Sequence, residues 1–179
     1  MDTTKTKWVI DPVHSEISFK VKHLMISNVK GSFKEFDATV YTDGDDFSTA
    51  AIEFSLKPAS VDTGVADRDG HLKSPDFFDV EKYETISFKS ESLTKVDDEN
   101  YELSGDMTIK GITKNLKLAV EFGGVAKDPW GNSKAGFTLN GKINRKDWDL
   151  TWNAALEAGG VLVGETVNII CEVQLLKQS

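Results

Sequence analysis

A chain of 179 residues with 39% hydrophobic and 28% charged content suits one domain, over residues 1–179, with its own core. A formal net charge of −8 and a pI near 4.9 leave no basic footprint for nucleic acid and no polybasic face for an anionic membrane. A local basic pocket stays compatible with that balance, because net charge says little about one cleft.

The N-terminus, MDTTKTKWVI, has no apolar core of the kind a signal peptide needs. The expectation is a cytoplasmic protein, or a periplasmic one if a leader was removed. No apolar run approaches the ~18 residues of a membrane helix, so no membrane-spanning segment is expected. Alternation then dominates the chain. Ile17, Phe19, Val21 and His23 share one face, and Ser18, Lys20 and Lys22 the other. Ile52, Phe54 and Leu56 repeat the pattern, as do Ile86 and Phe88, then Met107 and Ile109, then Leu116, Leu118, Val120 and Phe122. Phe137, Leu139, Gly141 and Ile143 follow, and the chain closes with Val167, Ile169, Cys171, Val173 and Leu175. A period of two in so many segments predicts half-buried antiparallel strands. Asp43-Gly44, Lys110-Gly111, Gly123-Gly124, Trp130-Gly131 and Gly159-Gly160 read as the turns between them.

One segment breaks the rhythm. DTGVADRDGHLKSPDFFD, residues 62–79, predicts a short helical insertion around residues 63–80, capped by Asp62 or Thr63. Ser74-Pro75 then starts a second turn in which Phe77 and Phe78 plug one end of the sheet. The fold class is therefore all-β with one short helical insertion, a closed antiparallel β-barrel or a sandwich, which alternation alone does not separate.

Catalytic chemistry finds little footing. His14 and Ser15 are neighbours on a strand entry and point to opposite faces, so hydrogen bonding within the turn is favoured over a nucleophile pair. The three histidines show no helical ligand spacing and the single cysteine has no partner, so no metal site and no catalytic residue is expected. Cys171, in an apolar run, reads as a buried inert thiol. Arg145 and Asp147 share the parity of Leu139 and Ile143. An unbroken strand would turn both inward and pair Arg145 with Asp147 or Asp69.

Several ordered blocks go further: WVIDPVHSEISFKVKHLMISNVKGSF, VDTGVADRDGHLKSPDFFD, YETISFKS, LSGDMTIKGITK, DPWGNSKAGF, INRKDWDLTWN and GGVLVGETVNIICEVQ. Together, over about residues 8 to 175, they resemble the YceI-like, polyisoprenoid-binding proteins. The resemblance implies an extended lipocalin-like antiparallel β-barrel. It also implies non-enzymatic binding, storage or transport of an isoprenoid lipid or isoprenoid quinone, with no other cofactor. Many relatives are exported, and here the chain departs from them in showing no leader.

A lipid-holding barrel needs an apolar wall, for which the alternation offers Ile17, Phe19, Val21, Phe54, Phe88, Leu118, Val120, Phe137, Leu139 and Ile169. A solid core made of the same residues is the competing reading, and it would serve as an interaction or stress-response module. For the head group, Arg68 suits a phosphate and His71 adds a donor, while Asp69 would orient one of them. A quinone head would be met by Trp152 or His23. The residues themselves slightly favour a structural role for Arg68, Asp69 and His71, as a buried salt-bridged corner tying the insertion to the barrel. For His23 the default is a hydrogen-bonded barrel histidine. An exposed edge strand would permit a homodimer.

Overall fold

The architecture comes from a computed structural model and is described for residues 5–24, 26–153 and 162–178. The strands are β1 (Lys5–Ile10), β2 (Glu16–His23), β3 (Ser27–Phe33), β4 (Phe36–Asp43), β5 (Asp46–Leu56) and β6 (Val61–Asp62). After the helix α1 (Ala66–Lys73) come β7 (Ile86–Lys95), β8 (Asn100–Ile109), β9 (Ile112–Lys127), β10 (Ser133–Asn144) and β11 (Val163–Lys177). All described pairings are antiparallel.

Eight strands, in the order β1-β4-β5-β7-β8-β9-β10-β11, close into a barrel. The ring is completed where residues 8–10 of β1 pair with residues 175–177 of β11. The earlier part of β11 pairs instead with β2, and β3 and β6 continue the sheet beyond it. Closure by main-chain pairing decides between barrel and sandwich, which side-chain parity does not encode.

Short 3₁₀ turns interrupt the wall. Pro12–His14 separates β1 from β2, and Pro58–Ser60 separates β5 from β6. Proline removes a ladder donor at each, so the path bends there. At the first break Asp11 accepts from the Val13 amide at 3.2 Å and lies 2.8 Å from His14 Nδ1 and 3.1 Å from Lys134 Nζ on β10. His14 bonds within the turn as expected, through Asp11, whereas Ser15 Oγ bonds across to β11, accepting from the Gln174 amide at 3.0 Å.

Two expectations about local structure are corrected. Gly123-Gly124 is not a turn. β9 runs through it, and the register slips between Gly136 and Phe137 of β10, with Gly124 at φ 103° absorbing a bulge. Asp62 and Thr63 do not cap α1, whose N-cap is Val65 without a side-chain bond. Ser74 closes α1, its hydroxyl donating to the His71 carbonyl at 2.6 Å, and also opens the expected turn, its own carbonyl accepting from the Phe77 amide at 3.0 Å. The Gly159-Gly160 pair lies outside the described residues.

One end of the barrel is packed shut. Trp8, fully buried, donates its indole N–H to Thr42 Oγ1 at 2.9 Å, and Thr42 in turn donates to the Gly44 carbonyl at 2.6 Å. Phe47 meets Trp8 and Phe137 with centroids 4.9 Å apart, and Phe122 stacks on Phe137 at 5.1 Å. Buried aromatics of this size supply much of a small barrel's stability while satisfying their polar edges.

Candidate functional site

Inward-facing residues of the strands surround a cavity of about 550 Å³. Its wall includes Ile17, Phe19 and Val21 of β2, Phe54 of β5, Phe88 of β7, Leu118 and Val120 of β9, Phe137 and Leu139 of β10, and Ile169 of β11. The barrel is thus not filled by its own side chains.

Three inward glycines keep that space elongated. A Cβ on Gly31 would strike the Phe19 ring, one on Gly105 the Phe88 ring, and one on Gly141 the Leu118 side chain. Each glycine lets a large neighbour lie flat along the wall instead of crossing the lumen. Gly141 therefore makes room for Leu118 rather than leaving a void of its own.

The far end from Trp8 is the mouth, covered by α1 and residues 145–153 after β10. His71 meets Trp152 edge-on at 4.6 Å and Phe77 at 5.1 Å, with Phe77 and Trp152 5.5 Å apart. His71 Nε2 lies 2.9 Å from Asp76 Oδ2. Phe78 closes the side by packing on Phe33 at 5.8 Å, and Phe33 on Phe19 at 5.5 Å. None of the α1 residues is fully buried, and the helix rests on the mouth with half-buried Leu72 packed against the core.

The polar residues sort differently from expectation. Arg68, His71, His23, Arg145 and Trp152 line the cavity, whereas Asp69 does not. Arg68 and Asp69 form no salt bridge, which corrects the expected salt-bridged corner. Both grip Thr63 instead. Asp69 Oδ1 accepts from the Thr63 amide at 2.8 Å and from its hydroxyl at 2.6 Å. Arg68 donates from Nε to Thr63 Oγ1 and from Nη2 to the Thr63 carbonyl, both at 2.8 Å. Asp69 thus orients Arg68 through a threonine, which neither residue's own sequence context announces. The His23 imidazole makes no hydrogen bond to a described residue, contrary to the expected bonded histidine.

Arg145 is the largest correction. β10 ends at Asn144, whose side chain accepts from the Lys146 amide at 3.0 Å and starts a 3₁₀ turn, Arg145–Trp148. The turn leaves Asp147 exposed and Arg145 3% exposed. Arg145 pairs with neither Asp147 nor Asp69. Its guanidinium donates to four main-chain carbonyls: Gly164 at 2.8 Å, Leu150 at 2.5 Å, Trp152 at 3.0 Å and Val163 at 3.3 Å. Burial lowers its pKa, with the Glu165 charge opposing, yet an arginine so far above neutrality stays charged. The fork ties the chain after the 3₁₀ turn to the start of β11 and so frames the mouth. Cys171 also faces the lumen, where burial pushes its thiol up to about 12 and leaves it inert.

Among the described residues, no three His, Cys, Asp or Glu side chains converge on a metal position. No described helix is long and apolar enough to cross a membrane. Lys22, Asp67, Leu150, Leu162 and Val163 also line the cavity and escaped the sequence reading. Lys22 has outward parity, and the others fall where no alternation runs.

A YceI-like domain model matches residues 8–175. The chain belongs to the YceI-like family. A UPF0312 protein of Staphylococcus aureus strain N315 is 44% identical over 163 residues, covering 90% of this YceI-like chain and 92% of its relative. A UPF0312 protein of Staphylococcus epidermidis strain RP62A matches at the same 44%. The crystal structure of the Campylobacter jejuni YceI protein, 37% identical, superposes with a TM-score of 0.76 over 89% of this chain and 91% of that one. Two more distant structures share the fold. They are Burkholderia cenocepacia BcnA (TM-score 0.78, 22% identity, 92% and 98% covered) and a polyisoprenoid-binding domain from Saccharophagus degradans (0.73, 12%, 96% and 98%).

Proposed function

We propose that this YceI-like barrel binds a long apolar lipid of the isoprenoid class, either a prenyl lipid or an isoprenoid quinone, in its lumen, and stores or carries it without chemical change. One observation carries the reading: an elongated cavity of about 550 Å³ whose lining is apolar from the aromatic plug almost to the mouth. Its volume sits within the ~300–1,000 Å³ of small-molecule sites. Val163 and Leu175 both line it, twelve residues apart on β11. That is about 30 Å along the axis of a barrel whose strands tilt by about 40°.

Affinity then comes from removing the chain from water, about 0.8 kcal/mol per buried CH₂. Five carbons contribute on the order of 3–4 kcal/mol gross, against several kcal/mol lost to immobilisation. Two or more isoprene units suffice for useful binding. The polyisoprenoid-binding description of the S. degradans neighbour supports the isoprenoid class by analogy of fold. The mouth geometry gives no nucleophile–base pair to argue for turnover, since His71 is engaged by Asp76 and aromatic rings.

Native mass spectrometry of the purified protein, with organic extraction of what it carries, tests this. A one-to-one adduct fragmenting in five-carbon steps is the expected result. Failure to take up any prenyl lipid on titration would overturn the reading in favour of an interaction module.

A further inference from the structure

The chain has only two arginines, Arg68 and Arg145, against nineteen lysines, and both arginines line the cavity. Lys22 also borders the cavity, but its exposed side chain takes the outward face of β2. The lining therefore holds two arginine cations and one carboxylate, Asp67, in a protein of formal net charge −8. Asp67 is exposed, and among the described residues neither arginine has a carboxylate within 4.0 Å. Their partners are a hydroxyl and main-chain carbonyls, which hold the guanidinium groups in place without cancelling their charge. Asp69, adjacent to Arg68, is spent on Thr63, and His71 is matched by Asp76. Nη1 of Arg68 makes no hydrogen bond to a described residue. An apolar, low-dielectric lumen strengthens the field of such charges, and a cleft focuses it.

Resting on the lipid-binding reading above, we propose that the mouth selects lipids with an acidic head, a phosphate monoester or a carboxylate, over neutral lipids of the same chain. The apolar tail fills the bore, and the acidic head stops at the rim beside Arg68, with the fixed charge of Arg145 behind it. Arg68 is pre-oriented through Thr63 and Asp69, and a guanidinium fork suits both oxyanions.

Titration with farnesol, farnesoic acid and farnesyl monophosphate, read by native mass spectrometry, isolates the head from the tail. The wild-type protein is expected to bind at least one of the two acids about tenfold more tightly than farnesol. Which acid wins names the source. Arg68→Gln should reduce that preference about three- to tenfold, and Arg68→Lys should retain most of it. The comparison of the three ligands on the wild-type protein keeps the test open if Arg68→Gln loosens α1. Farnesol bound as tightly as both acids would overturn the acidic-head inference and leave the lipid reading standing. No binding of any of the three would overturn both.

Discussion

At the scale of single residues, the molecule resolves two polar problems by opposite means. Arg145 is a buried charge satisfied wholly by main-chain carbonyls, so its removal orphans several acceptors at once. Arg145→Met is expected to cost about 3–5 kcal/mol in urea unfolding, whereas Asp147→Asn, at an exposed position, should move stability by less than ~0.5 kcal/mol. Asp11 is the second case. Burial would raise its pKa, but hydrogen bonds from His14 and Lys134 and their charges outweigh burial and hold it below the usual carboxylate value. A depressed folded pKa means the unfolded state binds the proton first. The stabilisation is therefore complete above about pH 4 and is lost as pH falls through the lower folded value. Asp11→Asn should flatten the acid limb of stability against pH, measured by urea midpoints between pH 6 and 3. An unchanged limb would show that other carboxylates carry it.

At the scale of elements, the strands depend on glycine where rings lie flat. Gly105 sits under the Phe88 ring, with the Lys89 carbonyl also too close for a Cβ. Gly105→Val is expected to destabilise by about 1–3 kcal/mol through overpacking, read from thermal or urea unfolding. Phe88→Leu in the same chain should recover part of that loss by withdrawing the ring. The helix differs in kind. α1 buries no residue fully and is held by Thr63, by the His71–Asp76 contact and by the Phe77–His71–Trp152 rings. Few buried apolar contacts mark an element that opens at low cost. The amides of α1 are expected to exchange with solvent faster than those of β9 and β10 by hydrogen exchange, and equal protection would show that the helix is part of the core.

At the scale of the whole molecule, the same barrel is solid at one end and hollow along its length. The Trp8–Phe47–Phe137–Phe122 cluster supplies a packed base, leaving the lumen free of the duty of holding the fold together. Filling the lumen should therefore cost binding more than stability. Val21→Trp, placed on the half-buried lumen side of β2, is expected to abolish uptake of a prenyl lipid in the native mass spectrum while keeping a cooperative unfolding transition. Uptake at the wild-type level would mean that the ligand does not lie along β2.

Much of the wall was legible from the order of residues alone. The period of two assigns Phe19, Phe88, Leu118, Leu139 and Ile169 to one side of their strands, because each strand residue alternates faces whatever the strand pairs with. The insertion at residues 62–79 and the inertness of Cys171 were legible for the same local reason. Tertiary structure alone decided the rest. Closure of β1 onto β11 joins residues almost a full chain length apart, and the cavity exists because glycines on one strand receive side chains from the next. Arg145 illustrates the limit most directly. Its parity is the same whether the strand continues or stops, and only the 3₁₀ turn after Asn144 turns its fork onto carbonyls rather than carboxylates. A local pattern states which way a side chain points, and its partners depend on segments the pattern does not contain.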